Sequence, residues 1–310
     1  MTRVVLATAY GGPEVLTVID QPVADPGPGQ ARVEVRAAGV NPADWKSYTG
    51  AFGTDPAALP RRLGSEVSGV VTAVGPDVAL AEGDEVIGFR VSGGYAAELV
   101  VRASALVPKP ASLGWEQAAG LMLTGATAVH ALTATGVGEG DTVLVHGAAG
   151  GVGLMAVQLA ALRGARVIGT VGGGGTELVR RFGAETVRYG DGLADRVREL
   201  APDGVDAAVD LVGTDEAVDV SLELVADRQR IATIAAFGRA ASEGIKALGG
   251  GPGADPGTEL RDAARPDLAE AAGAGRLEVV VAGTFPLEEV AAAHRQGMAG
   301  HTHGKLVLLP

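Results

Sequence analysis

The chain has 310 residues, enough for two ordinary domains with a core each, and its 47% hydrophobic and 20% charged content is that of a globular protein. A net charge of −12 argues against a nucleic acid or an anionic membrane as partner, since both need a basic face. With no Cys, disulfides and thiolate metal sites are excluded.

At the N-terminus Met1-Thr2-Arg3 runs straight into a strand-like Val4–Tyr10, with no charged n-region, long apolar h-region or cleavage site. No secretion signal is expected, and the expected compartment is the cytosol. No apolar run approaches the roughly 18 residues of a membrane span. Further β-branched runs follow at Val15–Asp20, Ala31–Ala38, Ser68–Val74, Asp84–Phe89, Tyr95–Val101 and Leu106–Pro108, separated by Gly/Pro turns. Many short strands with frequent turns predict a barrel or sandwich-like unit over residues 1–118. Between the strands, Pro42 is placed to open a helical turn with Asn41 as its cap. Asn41 is thus either a helix cap or a polar group facing a cleft.

Glu116–Thr135 reads as one helix or two in tandem. From Thr142 the period becomes βαβα. Strands are predicted at Thr142–His146, Arg166–Thr170, Thr186–Tyr189, Ala207–Val212 and Arg230–Ala235. Helices are predicted at Gly153–Arg163, Glu177–Phe182, Leu193–Leu200 and Asp215–Val225. That alternation specifies a parallel sheet with helices on both faces. Residues 238–257 are Gly-rich and read as a surface loop with an edge strand at Gly244–Leu248. The tail reads as helix Leu260–Ala274, strand Leu277–Val281, helix Leu287–Gly297 and strand Lys305–Leu309.

The stretch Thr142–Arg163 carries the chemistry. An apolar strand runs through Gly147-Ala148-Ala149-Gly150-Gly151-Val152-Gly153 into an unbroken apolar helix. A glycine turn opening a helix offers free N–H groups, a favourable dipole and close backbone approach to a pyrophosphate. Ala148, Gly150 and Gly153 stand where a Gly-x-Gly-x-x-Gly turn has its three glycines, so the match is imperfect. The plainer reading is a βα turn with glycines for packing. An Asp or Glu at the end of the second strand would grip the ribose 2′-hydroxyl of NAD. Here Thr170-Val171-Gly172-Gly173-Gly174-Gly175 has no carboxylate before Glu177, which points to NADPH. Thr170, Gly172 and Tyr189 are candidates to surround its phosphate. Arg180 and Arg181 are the nearest cations, or merely solvated helix residues.

His301 and His303 have metal-sharing spacing but no third ligand nearby, and His146 reads as a core histidine. No nucleophile elbow or paired-carboxylate signature stands out. With a nicotinamide cofactor the protein must orient, exclude water and stabilise charge on the substrate oxygen. Lys46 and Tyr48, just after Asn41, are the candidate donors, each otherwise an ordinary surface side chain.

Five motifs in order resemble the medium-chain dehydrogenase/reductase superfamily, in its zinc-free quinone oxidoreductase branch. They are Gly-Val-Asn-Pro-Ala-Asp at 39–44, Gly-Ser-Glu-Val-Ser-Gly-Val-Val at 64–71, Leu-Thr-Gly-Ala-Thr-Ala at 123–128, the 147–153 turn, and Gly-Lys-Leu-Val-Leu at 304–308. The resemblance implies a GroES-like, mostly β catalytic domain (1–118 with 266–310) and a doubly wound Rossmann domain (119–265), with the cofactor in a cleft between them. It implies Asn41 and Thr124 near the nicotinamide, and Ala148, Gly150, Gly151, Val152 and Gly153 on the pyrophosphate. Thr170, Gly172 and Tyr189 fall about the adenosine phosphate, Val212, Gly213 and Phe237 on the nicotinamide side, and Lys305 approaches the cofactor from the tail. The zinc-dependent members place Cys near 41 and His near 65. Asn41 and Ser65 stand there, so no metal is expected.

The sequence therefore predicts an NADPH-dependent reductase of a quinone or enone, with Asn41 and Lys46 or Tyr48 contacting the substrate oxygen or the nicotinamide. The alternatives are an enoyl reductase for polyketide-like or acyl substrates and a non-catalytic NADPH-binding protein. A homodimer by sheet-edge pairing is the family habit.

Overall fold

Residues 1–310 are all described by the structure, a computed structural model. It divides into two units, Met1–Leu123 with Pro266–Pro310, and Thr124–Arg265. The chain opens with β1 (Thr2–Ala7), β2 (Leu16–Gln21), β3 (Gln30–Val40), α1 (Pro42–Lys46), β4 (Arg61–Arg62), β5 (Glu66–Val74), β6 (Glu85–Phe89), β7 (Glu98–Arg102), β8 (Leu106–Pro108) and α2 (Trp115–Ala119). Next come α3 (Met122–Ala134), β9 (Thr142–His146), α4 (Gly151–Leu162), β10 (Arg166–Val171), α5 (Thr176–Arg181), β11 (Glu185–Arg188), α6 (Leu193–Leu200) and β12 (Ala207–Asp210). These are followed by α7 (Asp215–Leu224), β13 (Ile231–Thr233), α8 (Phe237–Glu243), β14 (Lys246–Ala247) and α9 (Thr258–Ala263). The tail is α10 (Arg265–Gly273), β15 (Val281–Pro286), α11 (Val290–Met298) and β16 (Lys305–Leu309).

The first unit is built on a seven-stranded sheet of order β15-β16-β3-β5-β6-β8, with β7 also paired to β3, beside a small β2-β1-β4 sheet. Alternating residues of β3 and β5 turn Val33, Val35, Val67 and Val71 into a core shared with Tyr95, Leu99, Leu306 and Leu308. β16 pairs antiparallel with β3 and parallel with β15, so the end of the chain lies inside this sheet.

The second unit is a six-stranded sheet, parallel throughout, of order β11-β10-β9-β12-β13-β14. Its central strands β9, β10, β12 and β13 are buried on both faces over most of their length, as βαβ connections require, while β11 and β14 at the edges are partly exposed. The order reverses beside β9, so β9 and its neighbours define the topological switch point where doubly wound sheets bind ligands.

Four elements differ from expectation. The segment 116–135 is two helices, interrupted at Gly120 and Leu121. Residues 238–243, read as loop, belong to α8; Ala240 is buried, and the helix closes at Gly244 in the left-handed conformation. The helix expected over 260–274 is two, α9 and α10. The run 277–281 is not a strand, although Leu277 and Val279 are buried. Lys305 N donates to Val280 O, so pairing with β16 starts at Val281 and runs on to Pro286.

Candidate active site

In the second unit the glycine turn joins β9 to α4. Gly147 has φ +75°, a conformation costly for a side chain, and Gly150 caps the helix without any side-chain bond. A Cβ at Gly153 would collide with Gly147 O and the Ala148 backbone, so this glycine closes the turn. Leu154 N takes Gly150 O, which leaves the N–H groups of Gly151, Val152 and Gly153 without helical acceptors at the positive end of a twelve-residue helix. Ala148, the irregular position, is fully buried. Its Cβ faces Gly169 on β10, so the alanine fills space a third glycine would leave empty. These groups fit a pyrophosphate.

Neighbouring strand ends complete the rim. Thr170 is buried and its Oγ1 accepts from Gly147 N at 3.1 Å, so its side chain supports the turn. Tyr189 is 48% exposed, with its hydroxyl over Gly172; a Cβ there would lie 3.1 Å from the oxygen. No carboxylate lies between Val171 and Thr176. Arg180 donates Nε–H to Thr186 Oγ1 at 3.0 Å, on its own βα unit. Asp210 ends β12 and accepts from Val212 N and Gly213 N at 3.0 and 2.8 Å. Thr233 donates to its other oxygen at 2.6 Å and accepts from Ala235 N and Ala236 N. One buried pair thus shapes both the Val212–Gly213 loop and the approach to Phe237. Val212 stands exposed beside the turn. The Phe237 ring covers Gly251, where any Cβ would strike it. His146 is buried, with Nε2 against Ser221 Oγ at 3.1 Å; desolvation holds its pKa below the usual value, and it is neutral. Thr124 is buried in the first turn of α3.

In the first unit a buried polar cluster surrounds Asn41. Pro42 opens α1, and Asn41 is its cap by backbone position. Asn41 N donates to Asp44 Oδ2 at 2.8 Å, but its side chain turns away from the helix. Lys305 Nζ donates to Asn41 Oδ1 at 2.6 Å, to Glu66 Oε1 at 2.7 Å and to Val40 O at 3.1 Å. Asn41 Nδ2 donates to Glu66 Oε1 at 2.9 Å, and Leu123 N to Glu66 Oε2 at 2.9 Å. The ammonium and carboxylate fix which way the amide faces. Lys305, expected to approach the cofactor from the tail, here spends all three of its N–H groups on Asn41, Glu66 and Val40 O. It is a buried scaffold cation, not one extended toward a ligand. Asn41 is itself only 2% exposed and keeps one amide hydrogen weakly held, at 3.4 Å from Gly39 O.

Tyr48 is misplaced by the sequence reading. It is fully buried and its hydroxyl donates to His294 Nδ1 at 2.8 Å, so it cannot act as a surface donor. His294 Nε2 donates to Tyr95 OH at 3.3 Å, and Tyr95 OH donates to Asp44 Oδ2 at 2.8 Å. Burial, opposed by the Tyr95 and Asn41 bonds, raises the Asp44 pKa to about 6, and desolvation lowers that of His294 to about 4. Lys46, on the last turn of α1, is half-buried, with its ammonium unengaged. Glu66, Asp44, Tyr95, His294, Asp210 and Thr233 were not singled out in the sequence. Glu66 and Lys305 had a visible signal, since each opens an apolar strand run and a charge there needs a partner.

Zinc does not fit these residues. Positions 41 and 65 offer an amide and an alcohol, and the Glu66 carboxylate already carries an ammonium. No three His, Cys, Asp or Glu side chains cluster as a metal site, and no helix is long and apolar enough to cross a membrane.

Residues 27–111 match the family described as alcohol dehydrogenase GroES-like domain, and residues 182–308 that described as zinc-binding dehydrogenase. A quinone oxidoreductase of Pseudomonas aeruginosa is 36% identical over 333 residues, spanning the whole of both chains. A 2-haloacrylate reductase of a Burkholderia species is 36% identical, covering 97% of this chain and 96% of its own. The Escherichia coli quinone oxidoreductase, solved in complex with NADPH, superposes with TM-score 0.88 at 28% identity and full coverage of both chains.

Proposed function

The chain belongs to the medium-chain dehydrogenase/reductase superfamily, in its quinone oxidoreductase branch, and from that premise we propose that it is an NADPH-dependent, zinc-independent reductase of quinones or α,β-unsaturated carbonyls. The observation that carries the reading is a glycine turn with three free helix N–H groups, beside a strand end that has no carboxylate. A carboxylate there would repel a 2′-phosphate. The Tyr189 hydroxyl over Gly172 offers one a hydrogen bond instead.

When bound, NADPH supplies the hydride. The backbone of Gly151, Val152 and Gly153 would hold the pyrophosphate, with Ala148 and Gly150 shaping the turn. Gly172, Tyr189 and Arg180 would surround the 2′-phosphate while Thr170 supports the turn. Val212, Gly213 and Phe237 would bound the nicotinamide side, with Thr124. Asn41 would orient through its remaining amide hydrogen. Lys46, the unengaged ammonium at the other end of α1, would donate to the substrate oxygen as negative charge develops there. Substrates are small molecules, as the relatives' names suggest, and the enzyme would work in the cytosol.

Steady-state oxidation of NADPH and NADH with 1,4-benzoquinone and a simple enone tests this. NADPH is expected to give the higher kcat/KM, and Lys46→Ala to lower kcat about tenfold with NADPH affinity unchanged. A preference for NADH would refute the cofactor assignment. Turnover only of acyl thioesters would favour an enoyl reductase, and tight NADPH binding with no turnover a non-catalytic binding protein.

A further inference from the structure

The hydrogen bonds about Asp44 all run one way. Tyr48 donates to His294, His294 to Tyr95, and Tyr95 to Asp44 Oδ2; from the other side Asn41 N donates to the same oxygen. Tyr95 spends its one proton on Asp44, so neutral His294 must donate from Nε2–H and accept from Tyr48 at Nδ1, which assigns its tautomer. Tyr48 and His294 are fully buried and Tyr95 is 1% exposed, so water does not compete for these bonds. Asp44 is where the donors end, and it has no proton to pass on while ionised.

We propose that Asp44, Tyr95 and His294 are positioning residues, a relay that holds the Asn41 turn in its working geometry and needs ionised Asp44 as its final acceptor. The proposal rests on the reductase reading above. Asn41 is then held at three atoms: its N by Asp44, its Oδ1 by Lys305 and its Nδ2 by Glu66. Two of these anchors come from the carboxyl-terminal segment, Lys305 directly and His294 through Tyr95 and Asp44. Charge-assisted bonds are shorter and stiffer than neutral ones, so protonating Asp44 on Oδ1 weakens both bonds to Oδ2 and loosens Asn41 N.

The charges felt at Asp44 are Lys305 on β16, which favours the ionised form, and Glu66 on β5, which opposes it; its other titratable neighbours are Tyr95 and, beyond it, His294 on α11 and Tyr48. Burial outweighs the favourable terms and puts the titration at about pH 6. His294 stays neutral through that range. The fold alone would be served by a neutral acceptor such as Asn, so an ionised carboxylate in this place points to a use for its charge.

The test is the pH profile of kcat/KM for NADPH and 1,4-benzoquinone between pH 5 and 9, with NADPH affinity followed in parallel by nicotinamide fluorescence. Wild type is expected to fall by about tenfold as pH drops through about 6. Asp44→Asn should be flat at the lower level. Tyr95→Phe should shift the limb upward, because the lost hydroxyl stabilises the ionised form. His294→Leu should behave like a weaker Tyr95→Phe, and His294→Gln should recover, since its amide donates and accepts at the same two ends. NADPH affinity should change less than threefold throughout. An acid limb that persists in Asp44→Asn, or rate losses matched by equal losses of NADPH affinity, overturns the relay. Wild type that reduces no quinone or enone sinks the reductase reading instead, and thermal melting then judges the relay. Asp44→Asn should melt above wild type at pH 8, with the gap closing by pH 4; no gap overturns it.

Discussion

Glu66 and Lys305 show what a buried ion pair does at the scale of a residue. Glu66 is fully buried, and its two oxygens accept from Lys305, Asn41 and Leu123 N. Removing one partner of such a pair leaves a desolvated charge and costs about 3–5 kcal/mol, whereas removing both is far cheaper. Lys305→Met should therefore lower Tm by roughly 10 °C or more, and Lys305→Met with Glu66→Gln should regain most of that loss in the same melting scan. A single variant within 2 °C of wild type would show that the pair carries little. Asp44 makes the stability depend on pH. Its folded pKa is raised to about 6 from 3.8, so it favours the fold below pH 4 and loses that favour as pH rises through 6. Being ionised at pH 8 costs roughly 3 kcal/mol. These residues were only partly legible beforehand. A charge within Glu66–Val74 or Lys305–Leu309 announces that it needs a partner, but nothing local names the partner 239 residues away. Tyr48 misled because its neighbours in sequence are polar. It turns inward to a histidine of the tail, which only the assembled sheet brings within reach.

Elements were most legible where the hydrophobic period was unambiguous. β9, α6 and β16 have the expected ends, because strand period and helix caps agree with the tertiary packing there. The Gly-rich stretch 238–257 was not legible. Glycine there marks the turns at Gly244 and Gly257, and the helix before Gly244 is set by burial of Ala240. The same stretch bears on assembly. β14 has two residues, and Asp255 N donates to Ala247 O at 2.8 Å while Gly249 N donates to Asp255 O at 2.7 Å. The loop thus lies on the outer edge of the sheet. His130 holds it down, with Nε2 to Asp255 Oδ2 at 3.2 Å and Nδ1 accepting from Arg261 Nε at 3.1 Å. A covered edge cannot pair with a second copy unless the loop lifts. Two copies of the intact chain are therefore not expected to pair edge to edge through β14, which sedimentation together with amide protection of Lys246–Ala247 would check. A chain shortened between Gly249 and Gly257 should associate. An intact chain that is dimeric through this edge would contradict the prediction.

The first unit is made from both ends of the molecule, and the second is a single insertion between them. β16 lies between β15 and β3, with Val307 and Leu308 fully buried, so the last residues are core rather than fringe. Ending the chain at Gly300 should abolish the cooperative melting of the first unit. The second unit, which has its own core, should keep a separate transition and its affinity for NADPH; calorimetry with a fluorescence titration would show whether it does.

The position of Lys305 also sets an order of events at synthesis. Domains fold as they emerge, amino-terminal parts first. The glycine turn and its sheet are complete by residue 265, while the cation that orients Asn41 comes forty residues later, at Lys305. A nascent chain can thus complete the glycine turn before residue 305 is made, yet it cannot fix the Asn41 amide until that residue has joined the sheet. That anchoring waits for β16 to join β3, so translation stopped before residue 305 is expected to leave a chain that has the glycine turn and lacks a fixed Asn41 amide.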